Sequence, residues 1–365
     1  MDGCRGPTGV TRHALAQLER LARRPGVDLR VVSGRIGEPE GRAYWDALGD
    51  LPRRELPVRT RDALRYWRAV PWPAVERWSG DVDWVYCPSE YGVATRKARR
   101  AVTSHDVLQD ATLGTPRRRA VLTRVFGAAD LICSVSRFNT ERLAETFPGC
   151  RDRVAYVPNG AEDLYFEPAT ADERSGVRGD LGLPSGLPYL LSVANFQPRK
   201  NLARLVRAAG RLAEVARGDL ALVLLGAGSD DEARLLREAS SAIGPRAVVA
   251  MPGYRQGVAL RAIYAEATAL VFPSTCESFG IPAVEAMAQG CPVALADSTA
   301  LPEIGGEAGW YFDPEDDEAI ADALRNLLDR EDERGRRAAL GRSIAEGYRW
   351  DRANDRLVEA LRARS

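Results

Sequence analysis

Hydrophobic and polar positions follow two patterns along this chain: short continuous apolar runs, and longer stretches with apolar residues at helical spacing. In the first half, strands are predicted at residues 27–33, 83–87, 101–104, 130–135 and 154–157, and helices at 11–23, 117–128 and 137–147. Ala14, Leu18 and Leu21 define the predicted apolar face of the first helix. Short buried strands that alternate with helices are typical of parallel sheets covered by helices.

The second half repeats this alternation more regularly. Strands are predicted at residues 189–193, 220–225, 247–251, 269–272 and 292–296, and helices at 201–216, 230–243, 258–267, 316–329, 331–347 and 351–363. Such a series predicts a doubly wound parallel sheet, in which ligands bind beyond the carboxyl ends of the strands. Four loops fall at that edge: residues 195–200, 226–229, 253–254 and 274–280.

A polar segment rich in glycine and proline, residues 161–187, separates the two halves and is predicted to be a domain linker. The chain of 365 residues is long enough for two domains that each bury a core. We therefore expect an α/β protein with two Rossmann-like, doubly wound parallel-sheet domains facing across a cleft.

The segment 273–288 joins an apolar run to a helix that begins at a proline. Pro282 suits the first helical turn because it lacks the N–H that would be unpaired there. Three amides should therefore lie at the positive helix end, where anions bind: those of Ser278, Phe279 and Gly280. Glu277 and Glu285 bracket this point, and carboxylates accept hydrogen bonds from sugar hydroxyls. The alternative is a loop carboxylate plus a helix glutamate that only complements the helix dipole.

Arg199 and Lys200 follow a strand, a proline and a tight turn, and they precede a helix. Adjacent cations at a helix N-terminus suit a diphosphate, because arginine binds bidentately and lysine adds a compact charge. Lys97 is the only other lysine in the chain. Pairs of basic residues on a protein surface are usually solvated and bind no ligand. The prediction of a diphosphate site therefore depends on the position of this pair at the same sheet edge as Glu277 and Glu285.

His105, one of two histidines, ends a predicted strand in the first half. A histidine there can point into a cleft between domains and donate to a substrate oxygen. The alternative, a structural histidine with satisfied hydrogen bonds, fits the sequence equally well. The string Ser104-His105-Asp106 is not a hydrolase triad, because neighbouring residues on a strand point to alternate faces.

Composition limits the possible partners and the compartment. Acidic and basic residues number 51 each, so no net charge favours nucleic acid. Six cysteines show no CxxC spacing and several lie in apolar runs, which indicates reduced, buried residues of a cytosolic protein. No apolar segment approaches the ~20 residues of a membrane span, and the N-terminus is no signal peptide.

The sequence also lacks the motifs of several cofactor sites. Gly226-Ala-Gly228 is not a complete GxGxxG pattern, so nicotinamide binding is not predicted. There is no Walker-type lysine loop, HExxH motif, Cys/His cluster or run of paired aspartates. We therefore predict no metal site and no cofactor.

Arginines alternate with tryptophans between residues 61 and 79: Arg61, Arg65, Arg68 and Arg77 with Trp67, Trp72 and Trp78. The favoured interpretation is a pair of surface helices with aromatic core anchors. The alternative is an interfacial patch that touches anionic lipid at the inner face of a membrane.

Together these motifs resemble one family. The segment from Glu277 to Glu285, with Pro198-Arg-Lys-Asn201 and Gly309-Trp-Tyr-Phe-Asp-Pro314, is similar to the retaining glycosyltransferases of family four. Thr8-Gly9-Val10, Ser104-His105-Asp106 and Val157-Pro-Asn-Gly160 fit the first domain of that family, so the resemblance covers nearly the whole chain. It implies the GT-B architecture and a nucleotide-sugar donor.

The resemblance also implies a role for each matching residue. The catalytic group would be Glu277 and His105, which contact the donor sugar, with Arg199 and Lys200 on the diphosphate. Glu285 would bind the ribose. The donor-binding residues implied are Gly9, Asn195, Gly226, Tyr254, Ser278, Phe279, Gly280, Ile281 and Glu285. Gly9 would lie in a mobile loop over the phosphates, and Tyr254 would lie near the base.

On this basis residues 1–170 form the acceptor-side domain and residues 171–350 the nucleotide-sugar domain, while residues 351–365 form a helix that crosses back to the first domain. Members of the family begin with an apolar strand before the glycine-rich loop, whereas this sequence begins almost at the loop. The first domain is therefore expected to lack a strand, unless the chosen start is too late. In addition, Asn195 stands where some relatives carry an arginine.

We therefore expect a retaining hexosyltransferase with a GDP- or UDP-sugar donor, and the pattern around Pro198–Asn201 favours GDP-mannose. A cell-surface polysaccharide or glycolipid is the expected acceptor, and a soluble natural product or another small molecule the alternative. Two other functions compete: a GT-B nucleotide-sugar epimerase and a non-catalytic subunit that binds sugar nucleotides. The protein is expected to be cytoplasmic, with a peripheral membrane contact as the open alternative.

Overall fold

The computed structural model describes residues 9–35, 51–106, 115–215, 220–241 and 247–364. The chain divides into two compact units. The N-terminal unit comprises Pro7–Asn159 and Trp350–Ser365, and the C-terminal unit comprises Gly160–Arg349. The structure thus divides the chain after Asn159 and Arg349, whereas the sequence predicts limits after residues 170 and 350.

The N-terminal unit contains two parallel sheets. Its strands are β1 (Val31–Ser33), β2 (Arg53–Glu55), β3 (Trp84–Cys87), β4 (Arg99–Ser104), β5 (Leu131–Ser134) and β6 (Val154–Tyr156). Its helices are α1 (Gly9–Arg23), α2 (Thr60–Ala69), α3 (Glu76–Ser79), α4 (Pro116–Ala128), α5 (Arg137–Thr146) and α15 (Trp350–Arg362). Strands pair in the order β3-β4-β5-β6, and β1 pairs separately with β2. The short strand β2 is missing from the sequence-based prediction, because all three of its residues are charged and exposed.

Local capping explains where two of these helices begin. Thr115 accepts a hydrogen bond from the amide of Arg118, and Pro116 occupies the first turn of α4. The Ser136 hydroxyl accepts from the amide of Asn139 at 2.9 Å and caps α5. These helices cover β4 and β5, whose central residues are fully buried, as the continuous apolar runs predict.

The buried face of α1 differs from the prediction. His13, Ala16, Gln17 and Leu21 are buried, whereas Ala14 and Leu18 are only half-buried. Polar side chains can occupy a buried face when they are hydrogen-bonded, and the Gln17 amide oxygen accepts from Asn354 of α15 at 2.9 Å. Apolar spacing alone therefore misplaces this face.

The C-terminal unit is one six-stranded parallel sheet with helices on its two faces. Its strands are β7 (Tyr189–Val193), β8 (Leu220–Leu225), β9 (Ala247–Gly253), β10 (Ala269–Phe272), β11 (Val293–Ala296) and β12 (Gly309–Phe312). Its helices are α6 (Ala171–Ser175), α7 (Val177–Asp180), α8 (Leu202–Val215), α9 (Asp230–Ser241), α10 (Gly257–Glu266), α11 (Ile281–Ala288), α12 (Leu301–Gly305), α13 (Asp317–Asp329) and α14 (Glu331–Ala345). The strand order is β12-β11-β10-β7-β8-β9, which confirms a doubly wound sheet. Strand β12 is an addition to the predicted strands.

The polar segment 161–187 is structured and packs within the C-terminal unit. It contains the 3₁₀ helix Asp163–Phe166 as well as α6 and α7. Tyr165 is buried, and its carbonyl accepts from the Gln289 side chain at 2.5 Å. Buried Arg261 of α10 donates to Glu173 at 2.5 Å. Burial of the Tyr165 ring, together with these hydrogen bonds to the body of the unit, explains why a segment with the composition of a linker is ordered here.

Several other predictions concern the chain as a whole. Residues 1–8 lie outside the described residues. The expectation about a strand before the glycine-rich loop and the prediction for Cys4 concern this segment, so they also fall outside the described part of the chain. The five described cysteines are free thiols, of which Cys87 and Cys276 are half-buried and Cys133, Cys150 and Cys291 buried. In the described part of the chain, no helix is both long and apolar enough to cross a membrane.

Candidate active site

The topology brings two loops of the C-terminal unit together. Strand β7 lies between β10 and β8, so the strand order reverses between β7 and β10. The loop after β7 carries Arg199 and Lys200, and the loop after β10 carries Glu277. These loops also share a backbone hydrogen bond, because the amide of Thr275 donates to the Arg199 carbonyl at 2.9 Å. Doubly wound sheets bind their ligands at such a reversal point.

Glu277 forms ion pairs with both cations. The Lys200 ammonium donates to Glu277 Oε1, and the Arg199 guanidinium lies 3.4 Å from Oε2. Glu277 is 8% exposed and Lys200 9%, whereas the Arg199 side chain is 31% exposed. Lys200 Nζ also lies 5.3 Å from the centre of the Phe272 ring. A fully paired, largely desolvated charge cluster therefore occupies the reversal point.

Burial and charge act against each other in this cluster. Burial raises the pKa of Glu277, but the cations Lys200 and Arg199 outweigh it, so this pKa lies below its usual value. Burial lowers the pKa of Lys200 and the adjacent Arg199 charge adds to the decrease, while Glu277 opposes it. The carboxylate is thus held ionised, and the lysine loses its proton more readily than an exposed one.

The helix that follows Glu277 begins as the sequence predicts. Pro282 occupies the first turn of α11, and Gly280 caps the helix with a φ of 107°. An L side chain at Gly280 would be strained at this φ, and its Cβ atom would lie 2.9 Å from the Leu301 side chain. None of the described residues accepts a hydrogen bond from three successive amides: those of Ser278, Phe279 and Gly280. Unpaired amides at a helix N-terminus form an anion site.

Thr299 fixes the other side of this loop. Its hydroxyl accepts from the Glu277 amide at 2.9 Å, and the Ala300 amide donates to the Glu277 carbonyl at 3.2 Å. Thr299 has a φ of 53°, a conformation that is unfavourable for a β-branched residue. No sequence signal marks Thr299 as part of the site, because nothing in a threonine predicts a positive φ.

Glu285 lies one helical turn inside α11 and is 1% exposed. The Tyr264 hydroxyl donates to Glu285 Oε2 at 3.0 Å, and the Tyr264 ring packs edge-on against Tyr165 at 6.0 Å. The tyrosine thus orients the carboxylate predicted to bind a ribose. Tyr264 is absent from the predicted site, because a buried aromatic in an apolar helix is typical of core packing.

Two glycines allow the loops after β7 and β8 to touch. Gly226 has a φ of 151°, and a Cβ atom there would lie 1.8 Å from the Ala194 carbonyl oxygen. A Cβ atom at Gly228 would lie 2.6 Å from the Phe196 Cβ atom. The Gly226-Ala-Gly228 string therefore permits close backbone approach at the sheet edge.

His105 lies in the N-terminal unit, directly after β4. Its Nε2 atom is 2.9 Å from the Pro88 carbonyl oxygen, to which it donates. Glu90 accepts from the amides of both His105 and Asp106, the latter at 3.1 Å. The loop after β3 thus holds one ring nitrogen and the backbone of His105. The sequence offers no signal for Pro88 or Glu90.

Comparison with known proteins identifies the family. Residues 174–343 match the family model of the group 1 glycosyl transferases, and residues 7–163 match that of glycosyltransferase family 4. A D-inositol 3-phosphate glycosyltransferase of Xylanimonas cellulosilytica is 31% identical over 92% of this chain and 81% of the relative. This chain belongs to the group 1 glycosyltransferases.

Two further proteins resemble this glycosyltransferase over nearly its whole length. The O-antigen chain mannosyltransferase B of Escherichia coli is 28% identical over 97% of this chain and 96% of the relative. The structure of Anabaena HepE with UDP and glucose superposes with a TM-score of 0.77, at 16% identity, over 99% of this chain and 98% of that one. The fold of the glycosyltransferase is GT-B.

The remaining predicted residues are more dispersed. Asn195 and Tyr254 are exposed in the loops after β7 and β9, and the Tyr254 hydroxyl donates to Gln256 at 3.2 Å. Ile281 is the buried first residue of α11, and Gly9 is the exposed first residue of α1. The described part of the glycosyltransferase contains no group of three His, Cys, Asp or Glu residues that could hold a metal ion.

Proposed function

We propose that this glycosyltransferase transfers a hexose from a nucleotide diphosphate sugar to an acceptor hydroxyl, with retention of the anomeric configuration. The observation that carries the proposal is the Arg199–Glu277–Lys200 cluster beside three helix amides that have no hydrogen-bond acceptor among the described residues. Cations and helix amides suit a diphosphate, and a carboxylate suits sugar hydroxyls. The HepE structures with UDP and glucose and with UDP-glucose support the donor class. The Escherichia coli mannosyltransferase supports mannose as the sugar.

In this proposal the bond between the sugar anomeric carbon and the diphosphate breaks, and the acceptor oxygen bonds to the same face of that carbon. The acceptor proton passes to the departing diphosphate. Lys200 and Arg199 stabilise the negative charge that develops on the diphosphate, together with the α11 amides. Glu277 holds the sugar hydroxyls, Glu285 holds the ribose, and His105 donates a hydrogen bond to the sugar.

The remaining donor contacts are proposals of the same kind. Tyr254 lies near the base, and the backbone from Ser278 to Ile281 meets the sugar or the diphosphate. Asn195, Gly226 and Gly9 complete the proposed donor-binding set. No metal or cofactor takes part, so turnover should be unchanged by EDTA.

A donor screen tests the reaction class. GDP-mannose, GDP-glucose, UDP-glucose and UDP-galactose are each added to the protein, and thermal unfolding is followed. A donor that binds only the folded state stabilises that state by RT ln(1 + [L]/Kd), which is about 2.7 kcal/mol at a donor concentration of 100 Kd. We expect GDP-mannose to raise the melting temperature most. If no nucleotide sugar raises it at millimolar concentration, the proposed function is wrong.

Product analysis then distinguishes the competing functions. Nucleotide release that requires an acceptor, with a product whose anomeric carbon–hydrogen coupling matches the donor, supports a retaining transferase. A sugar epimerised without acceptor would identify a nucleotide-sugar epimerase. Donor binding without release, across lipid-linked and soluble acceptors, would identify a non-catalytic subunit.

The two lysines of the chain provide a matched pair of variants. Lys200→Ala should lower turnover at saturating donor by at least about 100-fold, the scale for one electrostatic contact in a transition state. Lys97→Ala removes the same charge from an exposed position in the N-terminal unit and should leave turnover unchanged. Full activity of Lys200→Ala would remove this lysine from the mechanism.

An exposed patch supports a lipid-linked acceptor and a peripheral membrane contact. Trp72 is 67% exposed and Tyr66 is 48% exposed, close in sequence to the exposed Val70. Arg59 and Arg65 are exposed in the same segment. Exposed aromatic residues with arginines suit an anionic lipid surface, where the rings enter the headgroup region and the cations attract the lipid charge.

Vesicle binding tests this contact. The protein should sediment with phosphatidylglycerol vesicles and much less with phosphatidylcholine vesicles. Trp72→Ala should weaken sedimentation about tenfold, whereas Leu235→Ala, at a residue 54% exposed on α9, should not change it. Equal binding of wild type and Trp72→Ala would exclude this patch as the contact.

A further inference from the structure

A buried polar cluster surrounds His13 inside the N-terminal unit. His13 is 0% exposed, and both of its ring nitrogens are hydrogen-bonded. Nδ1 lies 2.8 Å from the side-chain oxygen of Asn159, to which it donates. Nε2 lies 2.8 Å from the Tyr86 hydroxyl, from which it accepts. The Thr103 hydroxyl is 2.7 Å from the Tyr86 hydroxyl and completes the cluster.

These contacts determine the state of the ring. An imidazole that donates through Nδ1 and accepts through Nε2 is neutral and held in one tautomer. Burial and the neighbouring His105 keep the pKa of His13 well below its ordinary value, which agrees with a neutral ring. Both nitrogens are engaged, so rotation of the ring would break a buried hydrogen bond to Asn159 and a partly buried one to Tyr86.

His13 is in direct contact with His105. Their ring centres are 4.8 Å apart, and the rings are perpendicular. The Trp350 ring packs against His13 at 5.6 Å with an interplanar angle of 76°. His105 is therefore held by the Pro88 carbonyl through Nε2 and by the His13 ring through packing. Among the described residues, none makes a hydrogen bond to His105 Nδ1, which leaves that atom for a ligand.

The cluster around His13 consists of polar side chains, which are costly to bury. An apolar core residue at position 13 would avoid the cost of burying polar groups, because it needs no partners. A fully satisfied polar network instead fixes one arrangement of its members. The member of this network that contacts His105 is His13, and both of its ring nitrogens are hydrogen-bonded.

We propose that His13 is a positioning residue, which sets the orientation of the His105 ring, and that Asn159 and Tyr86 act on His105 through it. This inference rests on the proposed contact between His105 and the donor sugar. His13 itself does not touch the substrate. A misplacement of about 1 Å in a catalytic group can lower a rate about 100-fold, so a residue behind His105 can control the reaction without taking part in it.

The first test uses no ligand. Because the protein has only two histidines, its imidazole ¹⁵N NMR spectrum contains the signals of two side chains. We expect one neutral Nδ1–H ring that does not titrate near pH 6.5, which is His13. Tyr86→Phe removes one hydroxyl and should move the His105 ¹⁵N shifts toward the tautomer average of free histidine. Unchanged His105 shifts in Tyr86→Phe would overturn the proposal.

The second test is a double-mutant cycle in which the dissociation constant of the donor is measured. The probe is GDP-mannose, or UDP-glucose if that donor raises the melting temperature most in the donor screen. Tyr86→Phe should weaken binding about tenfold in the wild type and have no further effect in a His105→Ala background. Additive losses would overturn the proposal, because they would show that Tyr86 acts independently of His105. Tyr189→Phe, which removes a buried hydroxyl bonded to the Ile263 carbonyl in the C-terminal unit, is the control and should not couple to His105.

The two tests separate this inference from the proposed function. If no nucleotide sugar binds, the function fails while the NMR experiment still decides whether His13 orients His105. His13→Phe keeps a ring but removes the His13 partner of both Asn159 and Tyr86, so Tyr86→Phe, which removes one hydroxyl, serves as the primary variant. If far-ultraviolet circular dichroism shows that His13→Phe is folded, this variant should have the same His105 ¹⁵N shifts as Tyr86→Phe. Wild-type His105 shifts in His13→Phe would contradict the proposal.

Discussion

Substitution of Lys200 should separate the stability of the site from its chemistry. Lys200→Met keeps much of the side-chain length and removes the ammonium, so of its two cationic partners Glu277 retains Arg199, at 3.4 Å. Removing one partner of a buried ion pair costs about 3–5 kcal/mol, because the remaining charge stays desolvated. Since Arg199 still faces the other carboxylate oxygen, we expect a loss near the lower end, about 3 kcal/mol.

The double variant Lys200→Met with Glu277→Leu should reverse most of this loss. Replacing a buried ion pair by apolar residues is often neutral or stabilising. The new methionine would pack over the Phe272 ring, which the Lys200 ammonium now faces at 5.3 Å. The half-buried Arg199 would turn to solvent. We expect a stability within about 1 kcal/mol of the wild type, together with complete loss of transfer.

Thermal unfolding and nucleotide release measure the two effects separately. A loss of 3 kcal/mol corresponds to a melting temperature about 6–12 °C lower for a unit of this size. Lys97→Met is the control and should melt with the wild type. A Lys200→Met protein that melts with the wild type would refute the buried charge argument. A double variant as unstable as the single one would show that the loss comes from packing instead of charge.

Three further predictions concern backbone, pH and orientation. Gly226→Ala should destabilise by at least about 3 kcal/mol in thermal unfolding, because its Cβ atom would overlap the Ala194 carbonyl oxygen. Burial lowers the pKa of His13, so below pH 6.5 the unfolded chain binds a proton that the folded chain does not. The free energy of unfolding, measured in urea, should therefore fall below pH 6.5 by up to about 1.4 kcal/mol per pH unit. Tyr264→Phe removes the donor to Glu285 and should raise the donor KM about fivefold, equivalent to one hydrogen bond of about 1 kcal/mol.

Each of these predictions has a matched control. Gly179→Ala places a Cβ atom with no neighbour within 4 Å in helix α7 and should leave stability unchanged or increase it. His13→Gln should lose the dependence on pH between 6.5 and 5, and a retained slope would assign it to another group. Tyr189→Phe should leave the donor KM unchanged; an effect equal to that of Tyr264→Phe would indicate general destabilisation.

The sequence predicts buried strands well because a strand covered on both faces must be apolar throughout. Leu220–Leu225 shows this, since all six residues are buried. The same rule fails for Arg53–Glu55, where the backbone alone pairs with β1 and the side chains carry no hydrophobic signal. It also fails for Gly309–Phe312, a short edge strand that begins with a glycine.

The sequence predicts which residues lie near one another in the site, but it does not predict all of their contacts. Parallel topology brings Lys200 and Glu277 to one sheet edge, and this much follows from the strand order. Their direct ion pair depends on the turn before α8, where Asn201 adopts a φ of 58° and bonds the Pro273 carbonyl at 3.2 Å. The contact between His13 and His105 depends on the exact seating of one helix, which no periodicity specifies.

Helix α15 has a consequence for the order in which the protein folds. Its Leu357 and Val358 complete the apolar cluster around Ala101 and Leu131, and Trp350 packs beside His13. The described part of the C-terminal unit is continuous in sequence, and it precedes α15 on the ribosome. It can therefore reach its native state during translation, while the N-terminal unit waits with part of its core exposed until residues 350–362 emerge. Synthesis rate through the C-terminal unit thus sets how long that apolar surface is available to chaperones.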